Sequence, residues 1–302
     1  MRRDGGRGYF LVLAAAALWS TSGLFIRWTV VSSGVSALSL AFWRDLTTFA
    51  CLLLGLALLQ PRQLRVERRD LPWLAALGAV GVGTFHVLWN LAILQIGYAA
   101  ATVLLYSSPA FVALMARLIW REPLTRYKLL AIALTLAGCV LVGGPEELAG
   151  VELTAGGLLL GLAAALTYGG FSLLGRQVAP RYSPWTVLTY GFGFGALVLL
   201  PFQITTAPPW PVSPQTWIWF GGLVLAATIV PFAAYLAALK WLPVSVASIL
   251  AASEVVFGSL IGYLVFGERL QGWQIVGAGL VVGGLVVLTT QRRAAPAART
   301  GD

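Results

Sequence analysis

The sequence is poor in charge. Of its 302 residues, 10% are Asp, Glu, Lys or Arg and 59% are hydrophobic, with mean hydropathy +0.84. A soluble domain carries roughly 25% charged residues. So little polar surface cannot face water over a chain of this length, which excludes a soluble protein and points to a bilayer. Histidine occurs once and acidic residues number 11. They leave no acid–base pair and no metal cluster, and no GxSxG, HExxH or Walker A sequence is present. The chain therefore reads as a non-enzyme with no cofactor. Cys51 and Cys139 each fall inside an apolar run without CxxC spacing. They read as small buried hydrophobes rather than as a disulfide or redox pair. Lysine is scarce too, at 2 against 18 arginines, which reads as genome composition. The net charge of +9 sits in short loops between apolar runs, so it reads as topology and not as a nucleic-acid footprint.

What is present is apolar sequence in lengths that match a membrane. A bilayer-crossing helix needs about 20 mostly apolar residues. Ten runs qualify: 9–31, 36–59, 73–95, 99–120, 125–143, 155–177, 184–204, 215–239, 244–266 and 271–289. The expected fold is an all-α membrane protein of ten transmembrane helices. The longest connection is "QPRQLRVERRDLP", Gln60 to Pro72. The start "MRRDGGRG" resembles a signal peptide, but the apolar stretch continues through Trp19 to Val31, too long for one, so it reads as an uncleaved helix. Counted on alternate sides, 17 basic residues fall on one side and two, Arg27 and Arg269, on the other, with Arg44 inside a run. The positive-inside rule makes the basic side cytoplasmic, together with both termini, as tails 1–8 and 290–302. Residues 144–154, with Glu146, Glu147 and Glu152, then lie outside.

The halves are related. Ala99 to Leu124 over Ser245 to Leu270, at an offset of 146, gives eight identities in 26 positions, among them Ser107/Ser253, Phe111/Phe257 and Glu122/Glu268. Just upstream, "NLAIL" matches "YLAAL" at an offset of 145. The shared glutamate is the specific part, because acidic residues are scarce. Five helices per half is an odd number, so the halves, 9–143 and 155–289, enter the membrane from opposite sides. Such inverted-topology repeats are a transporter signature, with the solute site between them near the midplane.

Two five-helix halves, each with a fourth run closing on an apolar-Glu motif ("LIWREPL", "LVFGERL"), resemble the EamA branch of the drug/metabolite transporter superfamily. The resemblance covers nearly the whole chain. It implies a ten-helix carrier of the bacterial inner membrane that exports amino acids or other small metabolites. The long basic loop 60–72 and the aromatic midplane look most like the YddG-type aromatic amino-acid exporters. One departure from the family pattern is that Pro109 has no counterpart in the second half, where Val255 follows Glu254.

Polar and aromatic residues at mid-depth are the candidate solute contacts, since polar groups inside a bilayer are costly and face the bundle interior. His86, Trp89 and Asn90 share one helix face. Trp19, Ser20 and Ser22 lie midway along the first run, and Tyr168 with Ser172 along its repeat partner. Tyr106 and Ser253 sit in the fourth and ninth runs, and Tyr235 aligns with Asn90. Glu254 is the eleventh residue of a 23-residue run, where a carboxylate needs a partner, a proton or an aqueous cavity. Arg44 and Asp45 are adjacent, about 100° apart on a helix, so Asp45 is expected to pair elsewhere, with Arg27 or another basic group. Glycines four apart (157/161, 191/195, 258/262 and 279/283) are expected at close helix contacts. The aromatic face suits an amphipathic solute and can host an ammonium by cation–π attraction. Amino acids fit best. Cationic drugs, or sugar phosphates and nucleotide sugars, are the other solutes; an intramembrane enzyme or scaffold is a remote alternative. Beyond the solute and the lipid, no nucleic-acid partner is expected, and the chain reads as a monomer or homodimer.

Overall fold

The computed structural model describes residues 5–144, 153–204 and 212–294. The expectations for external Glu146, Glu147 and Glu152 and for the ends of both tails fall outside them. Every regular element among the described residues is helical. In chain order they are α1 (Gly5–Trp19), α2 (Ser22–Ser33), α3 (Ala37–Leu59), α4 (Leu71–Gly78), α5 (Phe85–Leu105), α6 (Ser108–Trp120) and α7 (Arg126–Val142). There follow α8 (Ala155–Val178), α9 (Pro184–Ile204), α10 (Pro214–Val224), α11 (Val230–Ala238), α12 (Val244–Ala251), α13 (Glu254–Phe266) and α14 (Gly272–Ala294).

Among the described residues, eight stretches are long and apolar enough to cross a bilayer, against ten expected runs. The difference has a physical origin. The third and fourth runs do not separate cleanly: Leu71 to Leu105 forms one 35-residue stretch, bent only at Gly97, whose φ of 71° few residues but glycine adopt. The fourth run is then cut at Tyr106–Ser107, leaving α6 with 13 residues, and α7 has 17.

The cuts share one device. At Thr21, Ser107 and Ser253 a hydroxyl donates back to the carbonyl three residues earlier, Leu18, Leu104 and Leu250, at 2.6–2.7 Å. The backbone N–H groups of the same three residues follow to the same carbonyls at 3.0–3.1 Å, a 3₁₀ turn that ends one helix and aims the next. Ser107 and Ser253 are the repeat-related pair. The break at Ala252–Ser253 therefore forms without a family proline, because serine back-bonding and not Pro109 sets the turn.

A second shared device is a π-helical turn, Ala79–Thr84 between α4 and α5 and Leu225–Ile229 between α10 and α11. The first is one residue longer than the second. Just after the second, Pro231 is the second residue of α11 and lacks the N–H a regular helix would need there.

Packing follows the repeat. The α1 helix lies against α11 and α12, and its counterpart α8 lies against α4, α5 and the first π turn. The α3 helix packs on α9, and α7 on α14. The last contact is backbone-close: a Cβ on Gly138 would sit 2.5 Å from the Gly277 carbonyl. Glycines 157, 161, 191 and 195 are tightly packed as expected, but a Cβ at Gly258, Gly279 or Gly283 would meet nothing within 4 Å. On α14 the tightly packed glycines are instead Gly277 and Gly284.

Candidate functional site

Two aromatic groups stand out, one buried and one reaching the surface at Tyr98. Trp19 ends α1, is 7% exposed, and meets the Phe232 ring edge-on at 4.9 Å and Tyr235 at 5.4 Å. The Tyr235 hydroxyl shares a 2.7 Å hydrogen bond with Ser172. The Trp19 Nε1–H is buried and has no hydrogen-bond partner among the described residues. The second group surrounds Phe85, whose ring lies 5.2 Å from His86, 5.2 Å from Tyr168 and 6.3 Å from Trp89. Trp89 in turn meets Tyr98 at 6.0 Å. Tyr168 and Phe171, three residues apart on α8, join the two groups, since Phe171 packs edge-on against Phe232 at 5.0 Å.

The structure thus brings Trp19 with Tyr235, and His86 and Trp89 with Tyr168, through two rings the sequence did not single out, Phe85 and Phe232. Both follow a π turn. The extra residue rotates the helix face by about 100°, so 3.6-residue spacing misses them.

Several predicted polar contacts are already used. Ser20 donates to the Ala17 carbonyl at 2.7 Å, Asn90 Nδ2 to the His86 carbonyl at 2.7 Å, and Ser253 to Leu250. Ser22 and Tyr106 are half-buried at the breaks of their runs.

His86 belongs to a buried ion cluster. Asp45 on α3 is fully buried; its Oδ1 accepts from Arg44 Nε and Nη2 at 3.2 Å each, and its Oδ2 lies 3.1 Å from His86 Nδ1. Arg44 Nη2 also contacts His86 Nε2. Arginine can only donate, so Nε2 accepts, Nδ1 carries the proton, and the imidazole is neutral. The cluster is closed and carries no net charge. Asp45 therefore pairs with its neighbour Arg44, contrary to the helical-wheel expectation, because the long guanidinium stem reaches around the helix. Arg27 instead lies over the Phe266 ring at 4.6 Å.

Glu254 is not mid-helix. It is the first residue of α13, directly after the Ala252–Ser253 turn, so the N-terminal dipole of that helix favours its charge. It is half-buried, and among the described residues its side chain makes no ion pair or hydrogen bond. Its carboxylate lies within electrostatic reach of the Tyr98, Tyr106 and Tyr168 phenols and of Cys139. Among the described residues no three His, Cys, Asp or Glu side chains group to hold a metal ion.

Apolar helices of membrane-crossing length, interrupted at the repeat-related Ser107 and Ser253, define a helical membrane protein built on an internal repeat. The sequence comparisons give the family: the EamA-like transporter family matches residues 6–144 and 155–290, and the chain belongs to it. It is 30% identical over 283 residues to an uncharacterized transporter of Archaeoglobus fulgidus, across 93% of this chain and 95% of that protein. It is 23% identical to the pseudopaline exporter CntI of Pseudomonas aeruginosa, across 95% and 97%. A probable terminal-alkyne amino-acid exporter of Streptantibioticus cattleyicolor is 25% identical over 65% of this chain and 63% of its own. A solved crystal structure, 23% identical, superposes with a TM-score of 0.79 over 96% of this chain and 99% of that one, which shows the shared fold. The protein is a multi-pass transporter of the bacterial inner membrane and not an enzyme.

Proposed function

We propose that this transporter exports small amphipathic metabolites, foremost amino acids including aromatic and large apolar ones, by alternating access. On this reading it has ten spans, in two inverted repeats over 9–143 and 155–289, with both termini in the cytoplasm. The observation that carries the reading is Glu254: a carboxylate without a cationic partner among the described residues, opening a half-helix within electrostatic reach of Tyr98, Tyr106 and Tyr168. A carboxylate with aromatic rings nearby suits an ammonium, by charge and by cation–π attraction. The α1 helix, which Trp19 ends, packs against α13, and the unpaired Trp19 Nε1–H is a donor for the other end of a zwitterion. Phe85, Trp89 and Tyr168 supply apolar contact for a side chain.

Sugar phosphates are disfavoured. The one basic group at mid-depth, Arg44, is neutralised by Asp45 and spent on His86. The relatives named as exporters, one of them of an amino acid, point the same way. The test is efflux from proteoliposomes loaded with each of the twenty amino acids, a cationic dye and a sugar phosphate. Amino-acid flux that rises with side-chain apolar area is expected. Flux of the dye or the sugar phosphate alone would replace the reading.

A further inference from the structure

Glu122 and Glu268 are equivalent in the two repeats, and the structure treats them differently. Both follow a left-handed residue that ends a helix, Arg121 (φ 55°) after α6 and Gly267 (φ 66°) after α13. Both backbone amides close the same loop, Glu122 N–H to the Ala116 carbonyl and Glu268 N–H to the Gly262 carbonyl, each at 3.2 Å. The side chains diverge. Glu122 crosses to the other repeat and caps α12: its Oε1 accepts the Val244 N–H at 3.1 Å and its Oε2 accepts the Ser245 hydroxyl. Lys128 Nζ completes the cluster, 2.8 Å from Ser245 Oγ and 3.6 Å from Glu122. Glu268 is exposed and folds back over its own helix, where its Oε2 would lie 2.5 Å from a Cβ at Gly262.

The helices attached to them differ in the same sense. All eight residues of α12 are buried, and α12 packs on α6. Their repeat counterparts are 98–105 and α13. In 98–105 only Ala100 and Ala101 are buried, and in α13 only Gly262.

We infer that Glu122 and Glu268 are alternating latches: Glu122 holds one face of the carrier shut here, and Glu268 shuts the opposite face by capping the backbone N–H groups of Tyr98 and Ala99. At the offset of 146 those two residues are the counterparts of Val244 and Ser245. Gly97, with its positive φ, leaves the start of 98–105 free of a regular helical turn, as the loop before α12 does for Val244. Closing this latch carries Tyr98 toward Glu254, so the same movement covers the site. The latches are unequal by sequence. The Ser245 hydroxyl has only Ala99 opposite it, and Lys128 has only Gln274, which cannot form an ion pair. The Glu122 face is therefore the stronger lock, and the resting carrier is open on the Glu268 face. Calling that face external rests on the orientation proposed above.

Spin-label distances test this without reference to solute or sidedness. In a background of Cys51→Ser and Cys139→Ala, labels at Leu118→Cys and Lys240→Cys report the Glu122 face, and labels at Leu94→Cys and Val265→Cys report the Glu268 face. The unaltered latches should give short distances at the first pair and long ones at the second. Glu122→Ala removes a charged acceptor of two hydrogen bonds, so it should shift the open-to-shut ratio on order of tenfold, lengthening the first distance and shortening the second. Lys128→Gln should do the same more weakly, and Gln274→Lys should favour the shut Glu268 face with both latches intact. Glu268→Ala added to Glu122→Ala should abolish the shortening. Unchanged distances in Glu122→Ala, or lengthening at one face with no response at the other, would overturn the inference. Efflux from the same proteins separates the two readings: lost alternation with intact amino-acid selectivity condemns only the latches, and intact alternation with no amino-acid flux condemns only the proposed solute.

Discussion

Asp45→Asn is the sharpest test of whether the Arg44–Asp45–His86 cluster is architecture or transport machinery. Asp45 is fully buried, and both its oxygens are engaged, by Arg44 at 3.2 Å and by His86 Nδ1 at 3.1 Å. Asparagine keeps one acceptor oxygen. Its amide puts a donor where either the guanidinium or the His86 Nδ1–H points, so one contact is lost and Arg44 is left without compensation. Removing one partner of a buried ion pair costs about 3–5 kcal/mol. The Arg44 side chain is 14% exposed, which relieves part of the penalty, so the lower end, about 3 kcal/mol, is expected. The triple variant Arg44→Met, Asp45→Leu, His86→Leu removes all the charge together and should cost less than the single substitution, because desolvation of the ions is avoided. Denaturant unfolding in detergent measures both. Asp45→Asn within about 0.5 kcal/mol of the unaltered protein would refute the argument. Transport per folded molecule gives the second arm: a stable triple variant that has lost all flux would make the cluster part of the solute path.

Gly81→Ala should destabilise by about 1–3 kcal/mol in the same assay, because its Cβ would stand 2.8 Å from the Phe171 backbone and neither helix can retreat. Gly258→Ala, with open space around it, should be neutral. Trp89→Ala and Tyr168→Ala should weaken efflux of large apolar solutes more than small ones, at about 25 cal/mol per Å² of lost contact; equal loss for all solutes would indicate misfolding instead. Glu254→Gln should fold normally yet lose amino-acid efflux or its pH profile, and unaltered flux with an unaltered profile would reduce Glu254 to a helix-terminal ornament. Cysteines placed at Gln63 and Thr154 should label from opposite faces of the membrane, and labelling from one face would sink the inverted arrangement.

Much of this was legible from the chain alone, for reasons that differ by scale. Composition dictates a membrane because a 20-residue apolar run has few other homes. The repeat was legible because a glutamate closing an apolar run is rare here, so Glu122 and Glu268 stand out against a background where leucine matches mean little. Where the helices break was not legible. A serine in an apolar run reads as small packing material, and nothing in the pattern separates Ser107 and Ser253, whose hydroxyls turn the backbone, from Ser172, whose hydroxyl bonds Tyr235. The apparent midpoint of the ninth run was therefore a helix start, and Glu254 sits at a dipole instead of in the middle of one.

Side-chain reach was the other blind spot. A helical wheel treats each residue as a direction, which fails for Arg44, whose stem is long enough to return to Asp45. The same limit hid the asymmetry of the two glutamates. Their motifs match and their backbones close identical loops, so local sequence predicts equal roles. What separates them is what each can reach: Ser245 against Ala99, Lys128 against Gln274. A carrier built from two copies of one unit has no preferred side until such substitutions accumulate. The resting conformation of this one is written in the few positions where the repeats disagree, which are the positions a search for similarity passes over.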